Sequence, residues 1–285
     1  MNTKSFTSKS LILLISFAIM DMFFISFCEN RINGVEPQNE EPSFLPIKDQ
    51  VTMFVVYDNY QFNPDLTTGW GFGCVVKTPT QTILFDTGGN SSILLSNMEK
   101  LSINPEEINV VVISHIHGDH VGGLEGFLQN NGSVNVYIPA SFPDSWREKI
   151  QSYGAEYHDV KESITISENA YTTGEMGIWI KEQSLLLHTR QGLIVITGCA
   201  HPGIVKIVQR AKEIIPNTPV CMVMGGFHLS GASDAELRSI IQGFRDIGVI
   251  KVAPSHCSGD RCRELFEDEY KGEFIESGVG KIIKL

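Results

Sequence analysis

Between His115 and His120 the chain reads His-Ile-His-Gly-Asp-His, which puts three imidazoles and one carboxylate within six residues. Such a group is hard to bury, because every ring nitrogen and carboxylate oxygen needs a partner or water. A divalent ion resolves the conflict, since neutral imidazole and carboxylate are the donors that zinc-type ions take. His115 and His117, two residues apart on an extended turn, can reach one ion, while Asp119 and His120 face a second one nearby. An ion held this way activates water for attack and polarises the bond to be broken.

These residues need a frame. The β-branched run 109–113 reads as a buried strand that empties into the histidine turn. Gly122 and Gly123 let the following helix start pack close beneath it. Upstream, 52–57, 73–77 and 81–85 read as strands, the last ending in Asp86-Thr87-Gly88-Gly89-Asn90 before a helix over 91–100. Downstream, 133–138 reads as a strand and 142–153 as a helix, with short strands at 178–181 and 185–188. The pattern then sharpens: strands at 193–197, 220–224 and 249–253, helices at 203–214 and 260–270, and a capping box, Ser233 with Glu236, opening a helix to 247. Six of the eight histidines (His115, His117, His120, His201, His228, His256) lie just after apolar strand runs, where α/β folds place their chemistry. His158 and His188 read as ordinary surface or core residues.

The HxHxDH run after a strand, with Asp86 in Ile83-Leu84-Phe85-Asp86-Thr87-Gly88 and histidines at later strand ends, resembles the metallo-β-lactamase superfamily over 51–285. The segments Thr197-Gly198-Cys199-Ala200-His201-Pro202-Gly203, Met224-Gly225-Gly226-Phe227-His228 and Pro254-Ser255-His256-Cys257 resemble one branch of it, the dihydropterin–ribofuranosylaminobenzene-phosphate synthases. The resemblance implies an α+β fold, an αββα sandwich of two mixed sheets with helices outside. It also implies a pair of ions, zinc first with manganese or iron as alternatives. His201 then completes the first site with His115 and His117, and His256 completes the second with Asp119 and His120.

One part of the superfamily pattern is missing. Where an aspartate bridging both ions is expected, the strand 193–198 is followed by Cys199 and His201, and Thr173-Gly174-Glu175 takes the place of an earlier histidine. The bridging carboxylate is therefore either absent or replaced by Glu175. His228 is a ligand, a substrate contact, or a histidine held within its loop. Cys199 and Cys257 read as small residues packed beside the ligands, and Asp86 as a carboxylate that orients a ligand imidazole.

The implied activity is metal-dependent hydrolysis of an ester, lactone, amide or phosphoester, with Asp119 holding and deprotonating the attacking water. The alternatives are the branch's transferase chemistry and a non-catalytic metal-binding envelope protein. The partner is a small-molecule substrate. A net charge of −11 argues against a nucleic-acid surface, which needs a basic stripe. Residues 1–28, basic and then apolar, read as an export signal or as a membrane or lipid anchor with Cys28 as the acceptor, and polar, proline-bearing 29–50 reads as a linker. The protein is then expected to be exported or anchored on the outer face, with the membrane touched only by that segment, and cytoplasmic if 1–28 is not a signal. The six cysteines lack the spacing of a disulfide framework, and Cys257 with Cys262 is the one close pair.

Overall fold

A computed structural model describes residues 46, 47 and 50–285. The expected leader and nearly all of the expected linker lie outside the described residues. Order reaches back into that linker stretch at Ile47, which is buried and donates its N–H to the His188 carbonyl at 2.8 Å.

The first half of the domain builds one sheet. Strands β1 (Thr52–Asp58), β2 (Phe72–Lys77) and β3 (Thr82–Phe85) form an antiparallel meander. Helix α1 (Ser91–Lys100) then leads to β4 (Val110–Val112), and short helices α2 (Gly118–Val121) and α3 (Leu124–Asn130) lead on to β5 (Asn135–Pro139). Helix α4 (Asp144–Ser152) and β6 (Glu156–Val160) complete the run, with β3 to β6 all parallel.

The second half builds the other sheet. β7 (Thr165–Ser167), β8 (Ala170–Thr172), β9 (Leu185–Thr189) and β10 (Gly192–Thr197) are antiparallel. Then α5 (Ile204–Ile214), β11 (Val220–Gly226), α6 (Asp234–Ile247) and β12 (Lys251–Ser255) continue with parallel pairing. Helix α7 (Asp260–Tyr270) follows, and β13 (Ile282–Lys284) crosses back to pair with β1.

Side-chain alternation turns this order into four layers. In β10, Ile194 and Ile196 pack between the sheets with Met53 and Val55, whereas Leu193 and Val195 pack outward against Ile207 and Val208 of α5 and Phe244 of α6. On the first sheet Val56, Leu84 and Val111 face Leu94 of α1 and Phe127 of α3. Strands apolar on both faces are the reason these segments read as continuous hydrophobic runs. The architecture is the αββα sandwich.

Two local readings change. The segment 178–181 is not a strand: Ile178 and Trp179 are 83% and 94% exposed at the tip of a turn. A short apolar run imitated a strand there, but Ile178 and Trp179 face solvent. The polar strand β6 and the three-residue β7 and β8 carried too little periodicity to be read. The capping box is present, with the Ser233 hydroxyl accepting the Glu236 N–H and the Glu236 carboxylate accepting the Ser233 N–H. No described helix is long and apolar enough to cross a membrane.

Candidate metal centre

The two sheets end side by side, and loops from both deliver the donors. His115 follows β4 and is fully buried; His117 caps the start of α2, which carries Asp119 and His120. Cys199 and His201 follow β10, His228 follows β11, and His256 follows β12. Gly198 is required where these loops cross, since a Cβ there would lie 2.1 Å from the Ser114 hydroxyl oxygen.

Donor atoms fall into groups within 4.8 Å of one another: His115, His117 and His201; Asp119, His120, Cys199 and His256; and Cys199, His201 and His228. Nε2 of His115 and Nδ1 of His117 are 3.1 Å apart, and the Nε2 atoms of His120 and His256 are 3.3 Å apart. Oδ2 of Asp119 lies 3.3 Å from His256 Nε2 and 3.6 Å from His120 Nε2. Two nitrogens bound to one tetrahedral zinc stand roughly 3.3 Å apart, which is the spacing of these nitrogen pairs.

The backs of the rings explain the aim. His120 Nδ1 donates to Asp86 Oδ2 at 2.7 Å, His201 Nδ1 to Glu182 at 2.8 Å, and His256 Nδ1 to Asn59 Oδ1 at 2.8 Å. His115 Nδ1 pairs with the Ser114 hydroxyl at 2.8 Å, and that hydroxyl donates to Asp86 Oδ2 at 2.7 Å. With Nδ1 committed to a partner, each of these four imidazoles keeps its Nε2 lone pair for a metal. Asp86 thus supports both halves, His120 directly and His115 through Ser114.

Protonation agrees with that role at His115 and His120. Burial, reinforced by neighbouring imidazoles, pushes His115 and His120 down to about 3, so both stay neutral. Burial raises the Asp119 carboxyl, but the hydrogen bond with His256 and the neighbouring His120 outweigh it and hold it well below the usual range. Backbone strain concentrates here too: of eight non-glycine residues with positive φ among the described residues, Asp86, Ala200, His228 and His256 are at this centre. Such strain persists only where the surrounding structure enforces it, as functional sites do.

The expected ligands His115, His117, Asp119, His120, His201 and His256 are all brought together, and Asp86 stands behind His120 as expected. One expectation needs correction. Glu175 is in none of the donor groups; its carboxylate instead accepts the Ser141 N–H at 2.6 Å. Cys199, expected as packing, is buried with its Sγ 3.2 Å from His120 Nε2, and it shares groups with Asp119, His120 and His256 and with His201 and His228. His228 is exposed at the mouth, its ring 4.5 Å from that of His201. Cys257 and Cys262 are free thiols, and His158 stacks on Tyr137 away from the centre. Glu182 and Asn59 were not foreseen, because no local motif marks a residue whose role depends on contacts about 20 and 200 positions away.

A family profile described as the metallo-beta-lactamase superfamily matches residues 74–209. A Methanocaldococcus jannaschii protein named 7,8-dihydropterin-6-methyl-4-(beta-D-ribofuranosyl)-aminobenzene-5'-phosphate synthase is 27% identical across 83% of this chain and 97% of its own length. An uncharacterized protein of the same archaeon is 30% identical across 75% of this chain and 92% of its own. The crystal structure of a metal-dependent hydrolase of the beta-lactamase superfamily superimposes with a TM-score of 0.69 at 28% identity, covering 82% of this chain and 98% of that one. With the αββα sandwich and a histidine-rich centre at the sheet ends, these matches mean that the chain belongs to the metallo-beta-lactamase superfamily.

Proposed function

We propose that this protein is a metal-dependent hydrolase with two ions, zinc first, acting on an ester, lactone, amide or phosphoester of a small molecule. The observation that carries the reading is the pair of donor groups, His115–His117–His201 and Asp119–His120–Cys199–His256, with the Nδ1 atoms of His115, His120, His201 and His256 each held from behind. His115, His117 and His201 hold the first ion; Asp119, His120, His256 and Cys199 hold the second. Cysteine in the set favours a borderline-soft ion such as zinc over manganese. A bound ion of this kind supplies Lewis acidity, lowering the pKa of water toward neutrality and polarising the scissile group. Asp119, partly exposed and held ionised, orients the attacking water as a hydrogen-bond acceptor. His228, at the mouth, contacts the substrate. Residues 1–28 export the protein or anchor it on the outer face.

A second reading, a transferase joining a dihydropterin to an aryl ribofuranoside phosphate, is favoured by the near full-length similarity to the archaeal synthase. Both use heterolysis beside the ions, with departure of an anion. Elemental analysis of the full chain, then a hydrolase panel on the metal-loaded protein, tests the first reading. Incubation with a dihydropterin pyrophosphate and the aryl phosphate acceptor, read by mass spectrometry, tests the second. Two bound ions without turnover in either assay overturn both and leave a metal-binding role.

A further inference from the structure

Seven large apolar side chains are exposed among the described residues, and four of them flank the metal donors. The Trp70 ring lies 5.0 Å from that of His256, and Ile116 separates His115 from His117 in the chain. Ile178 and Trp179 share a cavity of about 530 Å³ with His201. Scattered exposed apolar residues are ordinary; a cluster at a metal centre indicates a ligand surface.

The tip that carries Trp179 is held, not loose. Met176 and Glu182 exchange backbone hydrogen bonds at 2.8 and 3.0 Å, and Lys181 Nζ donates to the Gly177 carbonyl at 2.7 Å. Gly177 has φ +91, and a Cβ there would meet the Ile180 carbonyl at 2.4 Å, so the turn demands glycine. Glu182, which closes the turn, also grips the Cys199–His201 loop through its carboxylate. The backbone of the tip is therefore fixed relative to the first metal site, so binding need not order the turn that presents Trp179. Across the cavity stand Pro202 and Lys206, and Lys206 makes no salt bridge among the described residues, in a chain of net charge −11.

We propose that this cavity is a substrate subsite for a planar aromatic ring joined to an anionic group such as a phosphate. The ring stacks on Trp179, with Ile178, Ile180 and Pro202 around it, and the anion lies between Lys206 and the His201 side of the centre. The volume suits one small molecule. This assignment rests on the metal-centre reading above and deepens it by naming the substrate class.

The test uses ligands without a hydrolysable bond, so that it does not depend on turnover. Phenylphosphonate and methylphosphonate are titrated calorimetrically into the zinc-loaded full chain. Wild type is expected to prefer the aryl ligand about tenfold, which is about 1.4 kcal/mol. W179A should bring the two affinities together, W179F should restore most of the preference, and K206Q should weaken both ligands about fivefold while keeping their ratio. Because Trp179 is 94% exposed, its removal leaves the core intact. A wild-type ratio near one, or a tenfold ratio that survives in W179A, overturns the subsite. So does a wild-type dimer that W179A splits in sedimentation, because the tip would then be a contact between copies. A ring preference in a protein inert to every hydrolase substrate sinks the hydrolase reading alone; an active hydrolase without the preference sinks the subsite alone.

Discussion

The Glu182 carboxylate accepts a hydrogen bond from Nδ1 of His201 at 2.8 Å and takes the backbone N–H groups of Cys199, Ala200 and His201 as well. One fully buried side chain therefore shapes the loop that carries two donors, and it reaches there from the base of the Trp179 turn. The same grip couples the aromatic tip to the metal centre mechanically.

That grip is sensitive to acid. Burial alone would raise the Glu182 carboxyl, but the hydrogen bond from His201, the nearby His115 and the amide donors pull it from 4.5 down to about 2. A depressed carboxylate stabilises the fold fully above its unfolded value, and that contribution is lost as pH falls from about 4.5 toward 2. Roughly two and a half units correspond to about 3 kcal/mol. In metal-free protein, the urea stability gap between wild type and E182Q should shrink by more than half between pH 7 and pH 3. A gap that does not change with pH would show that ionisation of Glu182 is not its source.

Cys199 makes a different prediction. Its thiol is pushed up by a hydrogen bond to Cys257 and by burial, so a proton stays on this sulfur pair at neutral pH. A metal takes the thiolate, and binding must expel that proton. Zinc titrations in two buffers of different ionisation enthalpy should report about one proton released at pH 7 for the second ion. C199A should lose both that proton and the second ion while keeping the first. Two ions in C199A would return Cys199 to a packing role.

Much of this centre was legible because its donors are local in sequence. The run from His115 to His120 brings four donors in six residues, and His201 and His256 each follow a strand apolar on both faces. The sandwich was legible for the same reason: continuous β-branched runs alternating with helices leave few packings. The supporting groups were not. Glu182 sits in a polar connection whose place is set by the Met176 pairing, and Asn59 meets His256 across 197 positions. Chain position alone points to Glu175, but the turn at Gly174 aims it at Ser141. Cys199 among apolar neighbours looks like core until the loop shows where its sulfur points.

Asp86 links the two halves, so its acceptor oxygens should matter to both. It has φ +56, a conformation asparagine tolerates, and D86N therefore replaces one acceptor oxygen with an amide donor at little backbone penalty. The amide still accepts the Ser114 N–H but cannot serve both His120 and the Ser114 hydroxyl. We expect zinc affinity to fall by roughly 10- to 100-fold, the range for lost supporting hydrogen bonds. Competition against a chromophoric chelator measures this, and unchanged affinity at both sites would remove Asp86 from the centre.

His228 decides how far the donor set extends. Its ring lies against His201, its donor atom groups with those of Cys199 and His201, and its backbone is held at φ +55. Yet it is exposed, and its hydrogen bond with Cys257 favours the protonated ring, raising its pKa above 6.5. At the mouth, a ring that is exposed and drawn toward protonation can pair with an anionic substrate. H228A should therefore retain both ions while kcat/KM falls, by about tenfold for a lost charged hydrogen bond. H228N, which tolerates the same backbone, separates the ring from the turn. If H228A loses an ion, His228 is a ligand; if metal and kinetics both match wild type, it only packs against His201.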